Sequence, residues 1–302
     1  MNSKYKILII GGSGFLSGTL AKLAVSLGHD VWITTRGKKQ IPEGVNLITA
    51  DRHDKPAFKN AVEETGIHWD AVFDCICFHP DDAKQDIEVF KNRTNHLIWI
   101  STDFVYNPQK RWFPQNEQNL HFLTDGSYGA LKRLCELEFM SNDLGQMVVT
   151  TLRPAHIYGP GSYLGCLPQH SRDPELIFKI INDQPLCLVG GGHFLQQPIF
   201  ANDLAELMIS CIGNEKTYNE IFCVMGPDII ESRKYYQIIA SYLGKHAHIT
   251  EISIHEFLES NHDSGSFLCH RIYDLSKLKM AGLKIPSTSI YEGLEKHVKS
   301  LL

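Results

Sequence analysis

Short hydrophobic runs alternate with amphipathic stretches through the first half of the chain. Nearly continuous apolar runs predict strands at 5–10, 30–34, 45–49, 71–75, 96–101 and 147–153. Between them, apolar residues recur at helical spacing in 14–27, 55–65, 81–90 and 127–143. Strands that alternate with helices are typical of a parallel sheet covered on both faces. The pattern therefore predicts an α/β fold with a Rossmann-type, doubly wound parallel sheet.

The regular alternation of predicted strands and helices ends after Gly161. A helix is predicted at 174–182, strands at 186–189, 221–224 and 249–254, and another helix opening at Asn202. These elements no longer alternate regularly, which indicates a smaller C-terminal lobe formed by two separate segments of the chain. We expect a dinucleotide-binding Rossmann domain at 1–161 plus about 199–225, and a substrate-binding lobe at about 162–198 and 226–302.

Composition narrows the class of protein. The 302 residues are 43% hydrophobic, which is enough for one large core and a smaller lobe. A net charge of -5 argues against a nucleic-acid or membrane-surface partner, and no apolar run approaches the length of a membrane span. The histidines and the 8 cysteines are scattered, so no metal site is predicted. We expect a soluble, reduced, cytoplasmic protein with free cysteines.

The first chemical motif joins the first predicted strand to the first predicted helix. Gly11, Gly12, Ser13 and Gly14 form a glycine-rich turn in that position. Such a turn lets the backbone approach a nucleotide pyrophosphate, and the helix N-terminus supplies amide donors. Ser17 stands where a third glycine is usual.

The end of the second predicted strand distinguishes between the two nicotinamide dinucleotides. NAD-binding proteins usually carry an acidic residue here for the ribose 2′-hydroxyl, whereas this chain has Thr35, Arg36 and Lys38. An arginine can fork onto a 2′-phosphate that a carboxylate would repel. The sequence therefore predicts NADP(H) rather than NAD(H), with a solvated basic loop as the alternative interpretation.

A second motif supplies candidate acid–base chemistry. Thr102 follows the fifth predicted strand, and Tyr128 and Lys132 lie four residues apart, on one face of the next helix. We expect Tyr128 to exchange a proton with the substrate oxygen and Thr102 to orient that oxygen. We expect Lys132 to hold the nicotinamide ribose and, with the positive nicotinamide ring, to lower the pKa of Tyr128.

These segments together resemble the extended short-chain dehydrogenases/reductases, the NAD-dependent epimerase/dehydratase family. The resemblance runs over essentially the whole chain and rests on the segments 11–18, 101–106, 128–132, 153–161 and 202–205. It implies a Thr102, Tyr128 and Lys132 catalytic set, an adenine contact at Asp51, and homodimers. The full predicted cofactor-binding set is Gly11, Gly12, Ser13, Gly14, Phe15, Leu16, Thr35, Arg36, Lys38, Asp51, Arg52, Cys75, Ser101, Tyr128, Lys132, Pro154 and His156.

The chain departs from the family pattern on the substrate side. Phe104 replaces the glutamate of the sugar-nucleotide dehydratases, so water elimination is not expected. His156 replaces a sugar-contacting asparagine, and Gln196 stands where an arginine is frequent. A nucleotide-linked sugar is therefore not a secure substrate. The predicted substrate-binding residues are His79, Asp103, Phe104, His156, Tyr158, His193 and Gln196.

Three functions remain open at this point. The favoured one is an NADP(H)-dependent oxidoreductase acting on a carbonyl or secondary alcohol, with a sugar or sugar nucleotide as the candidate substrate. The second is a sugar or sugar-nucleotide epimerase that retains NAD(P) and uses the same three residues. The third is a non-catalytic cofactor-binding or RNA-binding protein, as some atypical relatives are. The complete Thr102, Tyr128 and Lys132 set argues against it.

Overall fold

The computed structural model describes residues 4–166 and 168–302. Its strands are β1 Lys6–Ile10, β2 Asp30–Thr35, β3 Asn46–Thr49, β4 Trp69–Asp74, β5 Thr94–Ile100, β6 Val148–Pro154, β7 Ile157–Tyr158, β8 Leu186–Val189, β9 Leu195–Gln196, β10 Ile199–Phe200, β11 Ile221–Val224, β12 Ile230–Glu231 and β13 Ile249–Ile252. Its α-helices are α1 Phe15–Ser26, α2 Lys55–Glu63, α3 Pro80–Phe90, α4 Tyr128–Ser141, α5 Leu176–Ile181, α6 Ala201–Ser210, α7 Ser232–Tyr242, α8 Ile254–Ser260, α9 Ser276–Met280 and α10 Ile290–Lys299.

Seven parallel strands form the central sheet in the order β11-β6-β5-β4-β1-β2-β3. β1 lies inside the sheet, between β2 and β4. The strand order reverses beside β1, and ligands of such sheets bind at the carboxyl ends of the strands next to that reversal. The predicted doubly wound parallel sheet is confirmed.

Alternation along β1 explains how both faces of the sheet are buried. Ile7 and Ile9 point into the core under α1 and α6, whereas Leu8 and Ile10 point into the core under α2, α3 and α4. All four side chains are completely buried, and each contributes about 1.5–3 kcal/mol relative to an exposed position. A strand that packs on both faces needs apolar residues at every position, as seen in 7–10.

The C-terminal lobe joins two chain segments. β8 pairs with β13 and β9 pairs with β12, so that each pair takes one strand from before β10 and one from after β11. Tyr158, Tyr235 and Tyr236 lie in the core of this lobe. The segment formed by α9 and the residues that follow it differs from the predicted division, because Leu278 and Leu283 pack into the core beneath α1 and α6 rather than into the lobe.

None of the helices in residues 4–166 and 168–302 is both long and apolar enough to cross a membrane.

Candidate active site

The glycine turn after β1 has the conformation that a pyrophosphate cradle needs. Gly11 adopts a φ of 95°, which side-chain-bearing residues rarely adopt. A Cβ on Gly12 would overlap the side chain of Ile33 in β2. Gly14 is the N-cap of α1, so the first amide groups of that helix face the turn. The residues present therefore fit a dinucleotide phosphate.

Ser17 closes this turn in place of the usual glycine. Its Oγ accepts a hydrogen bond from the Gly14 N–H at 3.1 Å and donates one to the Gly11 carbonyl at 2.8 Å. The side chain is buried and bridges the two ends of the turn. The departure from the family pattern therefore preserves the turn through hydrogen bonds.

A cleft of about 330 Å³ lies beside the turn, at the carboxyl ends of β2 and β3. Thr35 accepts a hydrogen bond from the Gly37 N–H at 3.0 Å, which shapes the β2 end. Arg36, Lys38 and Lys39 line the cleft and form no ion pair within residues 4–166 and 168–302. The cleft also includes Asp51, whose carboxylate accepts from the His53 N–H at 3.0 Å.

Arg52 lines the same cleft, but its guanidinium is turned to a buried acidic cluster. It pairs with Asp74 at 2.5 Å and with Asp86 at 2.9 Å, and its Nε lies 3.5 Å from Asp82. The predicted cofactor contact through this side chain is therefore corrected, because the cation already neutralises carboxylates. Burial, and then Asp74, raise the pKa of Asp86 well above its usual range.

Two other residues of the predicted cofactor set have structural environments of their own. Burial raises the pKa of the Cys75 thiol far above its usual range, so the thiol stays protonated. Ser101 donates to Glu136 at 2.7 Å, and Glu136 also accepts from Arg153 at 2.6 Å and 2.8 Å. Ser101 therefore ties the end of β5 to α4 instead of presenting its hydroxyl to a cofactor.

Thr102 and Tyr128 meet at the carboxyl end of β5. A side-chain hydrogen bond joins them, and the Thr102 Oγ1 also accepts from the Phe104 N–H at 3.3 Å. Tyr128 begins α4 and remains 46% exposed, with its ring between Phe78 and Phe104 at centroid distances of 6.5 and 6.4 Å. A phenol that is oriented by a hydroxyl yet open to the cleft can exchange a proton with a bound substrate.

Gly129 makes this meeting possible. A Cβ at this position would overlap the carbonyl group of Phe104. Only glycine lets α4 approach the turn at 103–105 so closely, and that approach places Tyr128 against Thr102. Sequence reasoning missed this role, although the glycine stands in the Tyr-Gly-x-x-Lys motif.

The pKa of Tyr128 differs from expectation. Loss of hydration in the cleft raises it to about 12, and the hydrogen bond with Thr102 offsets only part of that rise. The cation that helps to lower it is Arg172, not Lys132. The phenol is therefore protonated at neutral pH in the structure.

Lys132 lies one turn after Tyr128 on α4 and is buried. Its Nζ donates to the carbonyls of Cys77, at 2.6 Å, and of Ile100. The ammonium lies 4.8 Å from the Trp99 ring centroid and 5.1 Å from that of Phe78, and burial lowers its pKa. These contacts hold the ammonium at the ends of β4 and β5, beside the predicted nicotinamide site.

Asp103 is buried and does not face an open pocket, which corrects its predicted role. Its carboxylate accepts from the Tyr273 hydroxyl at 2.8 Å and lies 3.3 Å from the Arg271 Nε. Arg111 donates to its backbone carbonyl at 2.8 Å and also to the Tyr273 hydroxyl. Asp103 thus anchors the later part of the chain to the catalytic edge of the sheet.

Phe104 lies beside Thr102 and Tyr128, whereas His156 lies against Tyr235 of the lobe core. The Arg271 guanidinium lies 3.7 Å from the Phe104 ring centroid. Burial, and then Arg172 and Arg271, lower the pKa of His156 to about 3. His156 is therefore neutral at physiological pH, and its ring lies against Tyr235.

Four other predicted substrate contacts lie elsewhere. Tyr158 is buried in the lobe core against Gly293 of α10, and His79 caps α3 by accepting from the Asp81 N–H at 3.3 Å. The ring nitrogens of the exposed His193 bond to Glu231 and Arg233. Gln196 is buried in β9, and its Nε2 has no hydrogen-bond partner among the described residues. Among the described residues, the structure shows no contact of Tyr158, His79 or His193 with Tyr128.

The residues that sequence reasoning missed on this side are mainly cations: Arg111, Arg172 and Arg271, with Tyr273. They lie in irregular segments with no motif, so no local pattern could have singled them out.

Asp74, Cys77 and Asp86 form a buried cluster of residue types that can hold a metal ion. Their ligand atoms lie within 4.8 Å of one another, but Arg52 contacts both carboxylates. A cation already occupies the position that a metal ion would need.

Comparison with known proteins is consistent with this geometry. The NAD dependent epimerase/dehydratase family matches residues 7–224. A chloroplast stem-loop binding protein of 41 kDa from Arabidopsis thaliana is 26% identical over 240 residues, which are 74% of this chain and 60% of that protein. The chain thus spans less than two thirds of that relative. A UDP-N-acetyl-alpha-D-glucosaminuronate decarboxylase from Bacillus cytotoxicus is 24% identical, covering 98% of this chain and 97% of that one.

Solved structures share the fold. An epimerase from Methanothermobacter thermautotrophicus superposes with a TM-score of 0.79 at 17% identity, covering 99% of this chain and 92% of the other. A UDP-N-acetylglucosamine 4-epimerase from Methanobrevibacter ruminantium, in complex with UDP-N-acetylmuramic acid, gives 0.79 at 20% identity, covering 99% and 98%. At these identities the likeness establishes the fold.

Proposed function

The chain belongs to the NAD-dependent epimerase/dehydratase family, a family of nicotinamide-dependent enzymes, and on this premise we propose that it is an NADP(H)-dependent oxidoreductase. Its substrate is a ketone or the corresponding secondary alcohol, with a sugar or sugar nucleotide as the leading candidate. The approach of Tyr128 to the Thr102–Phe104 turn at the carboxyl end of β5, which Gly129 permits, carries the proposal. It orients a protonated phenol at the edge of the sheet where such folds bind ligands.

Each residue of the set has a distinct role in reduction. The nicotinamide cofactor supplies the hydride when it is bound. Tyr128 donates its phenolic proton to the substrate oxygen, and Thr102 orients that oxygen. Lys132, held by the carbonyls of Cys77 and Ile100, would place positive charge at the ends of β4 and β5 for the cofactor ribose, whereas Arg172 is the cation that acts on the Tyr128 phenol.

The same set of residues would catalyse the reverse reaction, the oxidation of the alcohol. Oxidation of an alcohol needs the Tyr128 phenolate as proton acceptor, and Thr102 stabilises that form by donating a hydrogen bond. The Gly11–Gly14 turn and the amide groups at the start of α1 would hold the cofactor pyrophosphate. Phe15 lines a cavity beside Ser13 and Gly14 and would form part of the wall around it, with Pro154 as a further predicted contact, whereas Leu16 is buried in the core under α1.

The preference for NADP(H) rests on charge at the β2 end. Thr35 stands at the acidic position of NAD-binding proteins, and Arg36, Lys38 and Lys39 carry three positive charges into the cleft. Since none of the three is neutralised by an ion pair in the described part of the chain, a 2′-phosphate would supply the missing negative charge.

An epimerase is the second candidate. Several solved relatives of the fold are described as sugar-nucleotide epimerases, and a retained cofactor with the same three residues would serve that reaction. A third possibility is non-catalytic RNA binding, because one relative is described as a stem-loop binding protein. The net charge of -5 and the complete catalytic set weigh against it.

One experiment tests the leading proposal. Purified protein is examined by native mass spectrometry for a retained cofactor, and a panel of ketones and keto-sugars is then followed by NADPH oxidation. We expect Tyr128→Phe to lower turnover by about 10²–10⁴-fold with cofactor binding unchanged. Tyr291→Phe, an exposed tyrosine on α10, is the matched control.

The other two residues sharpen that test. Lys132→Ala should lower both turnover and cofactor affinity, and Thr102→Ala should lower turnover less than Tyr128→Phe. Full activity of Tyr128→Phe on any accepted substrate would overturn the mechanism. Interconversion of sugar epimers without net NADPH consumption would favour the epimerase.

A further inference from the structure

The cavity that Phe15 lines has a volume of about 410 Å³ and lies next to the cofactor cleft. One of its walls is the N-terminal half of α1, and another is the loop between β2 and β3, at residues 39–43. Ser13, Gly14 and Lys39 line both this cavity and the cleft at the ends of β2 and β3, so the two spaces border each other there. A group on a cofactor bound in the cleft can therefore extend into the cavity.

Two walls of the cavity each carry a lysine. Lys22 lies on α1 and Lys39 on the facing loop, and both side chains are exposed. Neither ammonium group forms an ion pair or a hydrogen bond within residues 4–166 and 168–302. Glu43 also lines the cavity, and it too has no ion pair in that part of the chain. Two cations and one carboxylate leave an excess of positive charge, which favours an anionic ligand.

The spacing of residues along α1 keeps the space in front of Lys22 open. Gly14, Gly18 and Lys22 are four residues apart and so follow one face of the helix. Side chains on a helix tilt toward its N-terminus, which directs Lys22 past Gly18 toward the glycine turn. A Cβ on Gly18 would meet the Gly12 carbonyl oxygen at 3.8 Å, an ordinary contact, so packing against the turn does not require glycine there. A longer side chain at this position would occupy the cavity instead.

We infer that this cavity receives the 2′-phosphate of NADP(H), with the ammonium groups of Lys22 and Lys39 on either side of it. The inference rests on the proposed function, whose cofactor is NADP(H), and adds to it a specificity-determining residue on α1. In folds of this kind the adenosine ribose lies between the glycine turn and the end of β2, where Ser13 and Gly14 border both spaces. Lysine binds phosphate as a point charge, whereas NADH offers only a neutral hydroxyl at the same place.

The phosphate site is thus formed by residues from two elements that are distant in sequence. Arg36 lines the cleft, Lys22 lines the cavity, and Lys39 lines both. The charge of Lys22 can therefore be removed without changing the end of β2, and its effect on cofactor choice can be measured separately from that of Arg36.

Binding of the two dinucleotides to Lys22→Gln is the test. The substitution removes one charge from an exposed side chain that has no protein partner, so we expect the fold to be unchanged. We expect the Kd for NADPH to rise about 5- to 30-fold, between the effect of an exposed ion pair and that of a charge-assisted hydrogen bond, and the Kd for NADH to stay the same. Lys22→Arg keeps the charge and should keep the preference for NADPH. Fluorescence titration measures all of these values.

Lys279→Gln is the matched control for the lost charge. Lys279 is an exposed lysine on α9, which packs at β11, at the opposite edge of the central sheet from β3. Its replacement should leave both Kd values unchanged. An unaltered Kd for NADPH in Lys22→Gln, or an equal rise for NADPH and NADH, would overturn the inference.

A fragment of the cofactor separates this inference from the proposed function. The melting temperature is measured with adenosine 2′,5′-bisphosphate and with adenosine 5′-phosphate, which differ only in the 2′-phosphate. Greater stabilisation by the bisphosphate that Lys22→Gln removes would support the site even if no ketone is turned over. If Lys22→Gln keeps that difference and Arg36→Asp loses it, the NADP(H) preference stands and the role of Lys22 is wrong. Equal stabilisation of the unmodified protein by both compounds would overturn the preference and the inference together.

Discussion

At the scale of single residues, the β2 end determines the choice between the two nicotinamide dinucleotides. Arg36 lines the cleft without an ion pair in the described part of the chain, and Thr35 replaces the acid that would repel a phosphate. The cationic cluster is exposed, so its effect on binding should weaken as salt screens it.

Replacing Arg36 with Asp should weaken binding of NADPH far more than that of NADH. The lost charge-assisted bond corresponds to about 1.5–3 kcal/mol for NADPH, and the new carboxylate would accept from the 2′-hydroxyl of NADH. Fluorescence titration with both cofactors measures the change.

The control for that titration is Arg93→Asp, a charge reversal between α3 and β5 and away from the cleft. It should leave both curves unaltered. Equal affinities of the unmodified protein for the two cofactors would contradict the NADP(H) preference.

The raised pKa of Tyr128 predicts different pH profiles for the two directions of reaction. With a pKa of about 12, the Tyr128 phenol is protonated throughout the neutral pH range. The rate of reduction should therefore not change with pH in that range. Oxidation needs the phenolate and should rise roughly tenfold per pH unit below the pKa of the complex. The positive nicotinamide ring would shift that pKa downward. Steady-state rates in both directions, from neutral to alkaline pH, give the comparison.

The increase of the oxidation rate with pH is assigned to this phenol if Tyr128→Phe loses it and keeps a residual rate that does not change with pH. If the increase persists in Tyr128→Phe, another group is the base.

At the scale of the element, the start of α4 depends on Gly129. The helix approaches the turn at 103–105 without a side chain between them, and its next turn carries Lys132 to the ends of β4 and β5. Glu136 then fixes the same helix through its bonds to Ser101 and Arg153. One helix thus positions both Tyr128 and Lys132, the proposed catalytic side chains.

Gly129→Ala should separate α4 from that turn. The new Cβ would overlap backbone atoms of Phe104, which cannot move as a flexible side chain can. Forced packing of this kind costs about 1–3 kcal/mol, so we expect a lower melting temperature and a larger loss of turnover than of cofactor affinity. Calorimetry and steady-state kinetics measure these quantities.

Gly265→Ala is a suitable control, because a Cβ there would meet no atom within 4 Å. The proposed role of Gly129 would fail if both variants kept the stability and turnover of the unmodified protein.

At the scale of the whole molecule, α4 also presents an apolar stripe to solvent. Leu134, Leu137 and Met140 are spaced three residues apart on one side of the helix, and each is exposed. Burying this stripe against a second copy would remove apolar surface from water, which agrees with the homodimer that the family resemblance implies.

We therefore expect light scattering to give twice the chain mass of 34.2 kDa. Leu137→Glu should shift the mass toward that of one chain, because the dimer would bury an unpaired charge. Leu120→Glu, at an exposed position on the loop before α4, should not. A single-chain mass for the unmodified protein would exclude the dimer.

Features that depend on near neighbours along the chain follow from the amino-acid sequence. Alternating apolar runs predict the strands and covering helices, because burial on both faces requires apolar residues at successive positions such as 7–10. The glycine turn before α1 and the spacing of Tyr128 and Lys132 also follow from local geometry. Hence the Rossmann sheet and the placement of Tyr128 and Lys132 on one helix were predictable.

The contacts between distant segments are visible only in the folded chain. Asp103 bonds to Arg271, 168 positions later, and this contact turned a predicted substrate residue into an anchor. Tyr158 was assigned to the pocket but packs in the lobe core, and Arg52 was assigned to the cofactor but faces three carboxylates. A residue pattern specifies which face of an element is apolar, whereas the partner of a buried charge depends on how the whole chain closes around it.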